Sequence, residues 1–363
     1  MRILSIIGTR PQIVKASAFS KVIEGTSEID EILVHTGQHY DRELSDLFFD
    51  ELGISPPKYN LGVGSSSHAV QTAEMMIGIE ELVESENPDV LLVYGDTNST
   101  LAGAVVASKS HIPLAHIESG LRSFNKFMPE EINRIVTDRL SDILFCPTEA
   151  SVDNLSKEGV EEERIHLVGD VMYDACNNFS MIAGKRSTII EDMDLKTKEF
   201  VLATIHRAEN TDDENVLTAI VDSLESLAEK IRVVLPLHPR TKARINGKIG
   251  SMIDFIKPVG YLDMIELERN SKAIITDSGG VQKEAFFHRV PCITIRSETE
   301  WVELVDTGWN QLIDPRETDL LEDRILRSVS NLSPGDEVAN LYGGGNAAER
   351  IRDILIQWVG SFD

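Results

Sequence analysis

The sequence predicts an α/β protein of two doubly wound parallel sheets, and three observations carry that prediction. Short β-rich runs alternate with segments of helical spacing. The runs are apolar at consecutive positions rather than alternate ones, as in parallel strands covered on both faces. The alternation stops at a polar stretch, "AGKRSTIIEDMDLKTK" (183–198), and then begins again.

Six runs make the first half: "RILSIIG" (2–8), "EILVHTG" (31–37), "DVLLVYGD" (89–96), "PLAHIE" (113–118), "DILFCPT" (142–148) and "RIHLVG" (164–169). Between them, "PQIVKASAFSKVIE" and "TLAGAVVASKS" have the length and spacing of helices, so the repeating unit is β-α-β with right-handed crossovers. The second half repeats the pattern with "EFVLATIH", "RVVLPLHP", "DFIKPVG", "KAIITDSGG", "PCITIR" and "NQLID". The last helical segment, "NAAERIRDILIQWVGSF", follows the turn "LYGGG" and is expected to cross back onto the first half. The expected division is a domain over 1–168, a second over 169–348 and the terminal helix over 349–363. Two such sheets facing across a cleft put ligands where strand carboxyl ends meet helix N-termini.

The chain has 363 residues, of which 42% are hydrophobic, enough for two packed domains. Its 60 Asp and Glu against 35 Lys and Arg give a net charge of −25, which argues against nucleic acid or an anionic membrane as partner. The opening apolar run is too short for a signal peptide core, and no window approaches a membrane span, so a cytoplasmic protein is expected. Cys146, Cys176 and Cys292 lie far apart in sequence and are expected as buried free thiols.

The chemistry-bearing residues follow the strands. In "IIGTRPQIVK", Arg10 and Lys15 project from a helix N-terminus, a place suited to phosphate as well as an ordinary proline-marked helix start. The turn lacks G-x-G-x-x-G, so NAD is not implied. In "ITDSGGVQKEAFF", Ser278, Gly279 and Gly280 offer backbone N–H groups to an anion, and Glu284 lies on the following helix; their plainer reading is a capped turn and a solvated glutamate. The Asp-Ser-Gly-Gly string is shared with chymotrypsin-like proteases, which the α/β alternation argues against. His206 and His238 stand at the ends of the first two strands of the second half, where both are candidates to donate to a diphosphate and the plainer reading is a structural histidine. His35 and His39 are four apart in a glycine-containing strand context, and no metal is assigned.

Asp96 ends one strand, where the local reading is a helix N-cap, and Glu118 ends the next. "MPEEINR" puts Glu130 and Glu131 in a helix first turn, with Glu130 and Arg134 spaced as an i, i+4 pair and Glu131 read as a capping acid. Adjacent parallel strands bring Asp96, Glu118 and the Glu130 loop to one rim, where crowded carboxylates serve as proton carriers.

Together, "IIGTRPQIVK", "VYGDTNSTLAG", "AHIESGLRS", "MPEEINR", "TIHRAEN" and "TDSGGVQKEA" resemble the non-hydrolysing UDP-N-acetylglucosamine 2-epimerases, in order and across nearly the whole chain. The resemblance implies two Rossmann-like domains in the GT-B arrangement, usually a homodimer, and interconversion of UDP-N-acetylglucosamine and UDP-N-acetylmannosamine with no cofactor or metal. It implies elimination of UDP to 2-acetamidoglucal and its re-addition. Asp96, Glu118 and Glu130 would then act in proton transfer or elimination, with His206 on the diphosphate. Arg10, Ser278, Gly279, Gly280 and Glu284 would hold UDP, with Lys15 and Arg134 near the sugar and phosphates.

Trp301 stands where the family has an arginine near the ligand, and Gln12 where it has glutamate. "TEWVEL", "SFNKFMPEEINR" and "LYGGG" are similar to the branch acting on UDP-2,3-diacetamido-2,3-dideoxyglucuronate. Around "TGQHYDREL" the chain departs from bacterial members that bind a regulatory second UDP-sugar. A GT-B glycosyltransferase and a non-catalytic UDP-sugar binding protein stay open as alternatives.

Overall fold

The computed structural model of the chain describes residues 1–38, 49, 51, 53–237, 239–245, 252–331 and 341–360. It divides into two compact units, the first Met1–Asn178 with Asn340–Asp363 and the second Phe179–Ala339.

The first unit holds a seven-stranded sheet of β1 (Arg2–Ile7), β2 (Asp30–His35), β3 (Tyr59–Asn60), β4 (Val90–Tyr94), β5 (Leu114–Ile117), β6 (Ile143–Cys146) and β7 (Ile165–Leu167). Their order is β3-β2-β1-β4-β5-β6-β7, with every pair parallel. Only the two-residue β3 has no counterpart in the sequence reading. The second unit holds β8 (Phe200–Thr204), β9 (Arg232–Pro236), β10 (Ile253–Ile256), β11 (Ala273–Thr276), β12 (Cys292–Thr294) and β13 (Asn310–Leu312), in the order β10-β9-β8-β11-β12-β13 and again parallel. Both sheets are Rossmann-like, of the kind found in GT-B proteins.

Burial explains why these runs form strands. All five residues of β4 and of β8 are buried, and residues of β8 alternate between two cores. Val201 and Ala203 pack with Ile220, Leu224 and Leu235, while Phe200 and Leu202 pack with Val234, Leu267 and Ile274. Full burial of each large apolar side chain contributes about 1.5–3 kcal/mol. A polar substitution in these strands has no solvated face to occupy.

In each sheet the strand order reverses beside the first strand, between β1 and β4 and between β8 and β11. At such a switch point the connections leave in opposite directions and open a crevice at the strand carboxyl ends.

The helix Ala347–Val359 packs on the helix Arg10–Ile23, which begins at the β1 switch point. It is led there by the crossing of Gly169 and Gly343, both at positive φ. A Cβ on Gly169 would lie 2.8 Å from the Tyr342 carbonyl oxygen, and one on Gly343 3.0 Å from Gly169 Cα. Only glycine lets these backbones approach so closely. The Asp170 N–H then donates to the Tyr342 carbonyl at 3.0 Å, and the Ala348 N–H donates to Asp174 Oδ2 at 2.7 Å.

Cys146, Cys176 and Cys292 are buried and free, and burial pushes the Cys146 and Cys292 thiols up to about 12. Among the described residues, no helix is long and apolar enough to cross a membrane.

Candidate active site

In the first unit, Lys15 reaches from the helix Arg10–Ile23 to pair with Glu118 Oε2 at the end of β5. Glu118 is 7% exposed and has φ +69°, a backbone conformation that costs a non-glycine residue about 1–3 kcal/mol and persists only where its surroundings impose it. Such stored strain is concentrated at functional positions. Gly95 lies under the pair: a Cβ there would stand 3.0 Å from Glu118 Oε2 and 3.3 Å from Lys15 Nζ. Arg10 is exposed at the start of the same helix.

Asp96 does not cap the next helix, as the local reading expected. Thr97 is the N-cap, its hydroxyl accepting from the Thr100 N–H in a capping box. Asp96 is left to accept from Arg134 Nε at 2.9 Å, and its backbone carbonyl accepts from Asn133 Nδ2 at 2.9 Å. Both donors sit on the helix Pro129–Leu140.

That helix also separates the two neighbouring glutamates. Glu130 is exposed, whereas Glu131 is 1% exposed. Glu131 accepts from the Ser123 and Phe124 N–H groups at 2.9 Å and from Arg134 Nη1 at 2.6 Å. Burial alone would push its carboxyl up; these donors overcome that and hold it below the usual glutamate value. Glu131 therefore pins the loop ahead of the helix rather than capping the helix, and Arg134 pairs with Asp96 and Glu131.

Gln12 is buried and ties the β1 turn to the end of β4. Its Oε1 accepts from the Gly8 N–H at 2.8 Å, and its Nε2 donates to the Tyr94 carbonyl at 2.7 Å. A carboxylate there would lose the second donation, so glutamine suits this position as the neutral residue with both a donor and an acceptor.

In the second unit, the loop after β8 is held by Asp277, a residue the sequence reading passed over. Asp277 is fully buried and accepts from the His206 and Arg207 N–H groups at 3.0 and 2.9 Å and from Asn210 Nδ2 at 3.1 Å. His206 Nδ1 stands 3.2 Å from Asp277 Oδ1, with the ring 39% exposed. A buried carboxylate supplied with this many donors is a fixed anchor, and it sets the ring's orientation.

Ser278 is the N-cap of the helix Gly279–Phe287, with Gly280 exposed beside it. Behind this turn, Trp301 is 4% exposed, and its indole N–H donates to the Gly279 carbonyl at 3.0 Å. Lys283 Nζ lies 4.0 Å from the centre of the Trp301 ring, a cation–π contact. Trp301 thus braces the glycine turn from within.

Glu284 is not solvated. It is 7% exposed, accepts from the Tyr261 hydroxyl at 3.0 Å, and has its carboxyl pushed up by burial. Nearby, Glu268 is pushed well up by burial and by Glu284, and among the described residues neither of its oxygens has a hydrogen-bond partner. His288 Nε2 stands 3.6 Å from it, its imidazole pushed down to about 4 by burial and by Arg269 and Lys198. His238 and His39 lie outside the described residues.

The structure thus brings Lys15, Glu118, Asp96 and Arg134 together at one switch point, with Glu130 on the same helix as Arg134. It brings His206 and Ser278 to the other, joined through Asp277. His116 and Asp138 also belong to the first cluster and went unnoticed in the sequence. Their one signal was a histidine inside an apolar strand, where a buried imidazole must find partners.

The sequence profile of the UDP-N-acetylglucosamine 2-epimerases matches residues 21–356. The UDP-2,3-diacetamido-2,3-dideoxy-D-glucuronate 2-epimerase of Pseudomonas aeruginosa is 50% identical over 98% of this chain and 99% of the relative. A UDP-N-acetylglucosamine 2-epimerase homolog from Methanococcus maripaludis is 48% identical over 98% of this chain and 99% of its own length. The crystal structure of the Methanocaldococcus jannaschii UDP-GlcNAc 2-epimerase in complex with UDP-GlcNAc and UDP superposes with TM-score 0.89 at 42% identity, covering 98% of this chain and 100% of that one.

Proposed function

The chain belongs to the UDP-N-acetylglucosamine 2-epimerase family, and from that premise we propose that it epimerises a UDP-2-acetamido sugar at C2, interconverting UDP-N-acetylglucosamine and UDP-N-acetylmannosamine. It is an isomerase, which sets aside the glycosyltransferase and non-catalytic readings. The observation that carries the proposal is the strained Glu118 held against Lys15 at the β1–β4 switch point, one strand from the Asp96–Arg134 pair.

The C2 hydrogen has no adjacent carbonyl to acidify it, so the reaction we assign is elimination. A carboxylate takes the C2 proton while the C1–O bond to UDP breaks, leaving 2-acetamidoglucal and UDP. Re-addition forms the C1–O bond again as a proton reaches C2 from the opposite face. Two faces need separately placed carboxylates, and Asp96, Glu118 and Glu130 are the candidates. Lys15 and Arg134 meet the charge that develops on the departing diphosphate. In the second unit, the Ser278–Gly280 turn and His206 hold the diphosphate, Glu284 the ribose hydroxyls, and Arg10 from the first unit a phosphate.

The 50% identity to the diacetamido-glucuronate enzyme supports a second reading, in which that uronate is the substrate. We also read the protein as a cytoplasmic homodimer that binds UDP-sugar and UDP and neither nucleic acid nor membrane; sedimentation at equilibrium tests the dimer. The activity is tested by incubating the protein with UDP-N-acetylglucosamine in heavy water and following C1 and C2 by NMR. The epimer should form with deuterium at C2. Exchange on the diacetamido uronate alone would move the substrate, and exchange on neither would overturn the proposal.

A further inference from the structure

His116 lies in β5, two residues before Glu118, and its ring is fully buried. Both nitrogens have partners: Nε2 is 2.7 Å from the Gly95 carbonyl oxygen, and Nδ1 is 2.7 Å from Asp138 Oδ1. The carbonyl can only accept, so Nε2 donates to it. Asp138, on the helix Pro129–Leu140, is also buried, and its Oδ2 accepts from the Gly120 N–H at 3.1 Å and from Arg122 Nη1 at 2.7 Å. Burial alone would raise the Asp138 carboxyl; the donors from His116 and Arg122 hold it below the usual aspartate value. With the Gly120 N–H and the Arg122 guanidinium both donating to Oδ2, the group is met as a carboxylate and has no proton to give, so its Oδ1 accepts from His116 Nδ1.

The result is a clamp. A single carboxylate grips the chain at His116, before Glu118, and at Gly120 and Arg122, after it. Arg122 is itself fixed by a two-pronged contact with Glu158, at 2.7 and 2.8 Å. Glu118 sits inside this bracket at positive φ, a conformation that only over-determined surroundings maintain. Through its other nitrogen, His116 also holds Gly95, which leaves space for the Lys15–Glu118 pair and immediately precedes Asp96.

We propose that His116 and Asp138 are positioning residues of the epimerase reaction, locking Glu118 in its left-handed conformation against Lys15 while fixing the Gly95–Asp96 turn. The inference rests on the reading of Glu118 and Asp96 as groups that act on the substrate. A purely structural pair would lower stability and leave the folded enzyme's turnover intact. A positioning pair lowers turnover in protein that is folded and binds UDP.

Three variants test it. Asp138→Asn replaces one of the two acceptor oxygens by an amide donor, so His116 or the Gly120–Arg122 pair loses its acceptor; His116→Asn keeps a donor toward Asp138 and gives up Gly95; His116→Gln reaches Gly95 and gives up Asp138. Each should lower kcat about 10–100-fold, with KM and the Kd for UDP within about threefold of the parent. In crystals of Asp138→Asn, Glu118 should leave positive φ and part from Lys15. Turnover within about twofold of the parent in all variants that fold, or Glu118 unmoved at positive φ beside Lys15, would overturn the inference. Should the parent protein show no exchange at C2 while Glu118 moves in the Asp138 variant, the epimerase reading fails and takes the catalytic role of the pair with it, and only the clamp on the Glu118 conformation stands.

Discussion

At the ends of β4 and β5 the side chains that meet are charged and paired, Lys15 with Glu118 and Arg134 with Asp96 and Glu131. At the ends of β8 and β11 the corresponding carboxylate, Asp277, is turned inward beneath the loop, and what lines the rim is His206 and the glycine turn after Ser278. One topology, used twice, has placed its carboxylates in opposite ways. A carboxylate that must exchange a proton stays within reach of a partner that can tune it. One that serves a site for anions must be sealed off and saturated with donors, or it would repel the ligand. Substitutions of the first unit's rim carboxylates should therefore act on kcat, and those at the second unit's anchor and glycine turn on UDP affinity.

The largest effect tests the first half of that contrast. Glu118→Gln and Glu130→Gln should each lower kcat about 10²–10⁴-fold while the Kd for UDP, measured by calorimetry, stays within about threefold. A near-normal rate in either returns that residue to a structural role.

Asp277→Asn sharpens the second half, because it puts an amide donor against backbone N–H groups. UDP affinity should fall about 10–100-fold; unchanged affinity would mean that the anchor does not set the rim. Gly279→Ala comes next. Its Cβ would clash with Glu300 Oε1, a side chain held by Arg296 at 3.1 Å, so either that carboxylate gives up its place or the turn shifts. UDP binding should weaken about tenfold, roughly 1.4 kcal/mol, with Lys15 and Glu118 undisturbed.

Trp301→Arg installs the arginine that the family resemblance leads one to expect at this position. It removes the indole N–H from Gly279 and sets a second cation beside Lys283. A loss of about 1–2 kcal/mol of stability, read as a lower Tm, and a few-fold weaker UDP binding are expected. Tighter binding would show that the arginine still finds the ligand in this chain.

The smallest effect concerns Glu268. Its carboxyl is raised in the folded state, so the stability it contributes is present below the ordinary glutamate value and is lost as pH rises through the raised one. Glu268→Gln removes that loss, and the Tm difference between variant and parent should widen in favour of the variant from pH 5 to pH 8. Equal slopes would mean that the carboxyl is not raised.

The strands were legible because parallel strands buried on both faces are apolar at every position, and the strand-end rims followed from topology. What stayed hidden was decided over long separations. Asp96 and Thr97 are both good caps, and the choice of Thr97 goes with Asp96 accepting from Arg134, 38 residues away. Glu130 and Glu131 look alike in sequence, but one helical step turns the first outward and the second into the loop at Ser123. Asp138 gave no local signal, because its partners His116 and Arg122 lie 22 and 16 residues away. A pairing rule of four residues cannot see such partners.

The first unit is assembled from two stretches of chain, with all of Phe179–Ala339 between them. Its helix Arg10–Ile23, which carries Lys15, is covered by Ala347–Val359. During synthesis the ribosome thus completes the second unit before it delivers the segment that closes the first. A nascent chain halted after Ala339 but before residue 347 therefore carries every strand of the β8–β13 sheet and an unfinished home for Lys15. The helix that carries Lys15 gains its cover only once Ala347–Val359 has been translated.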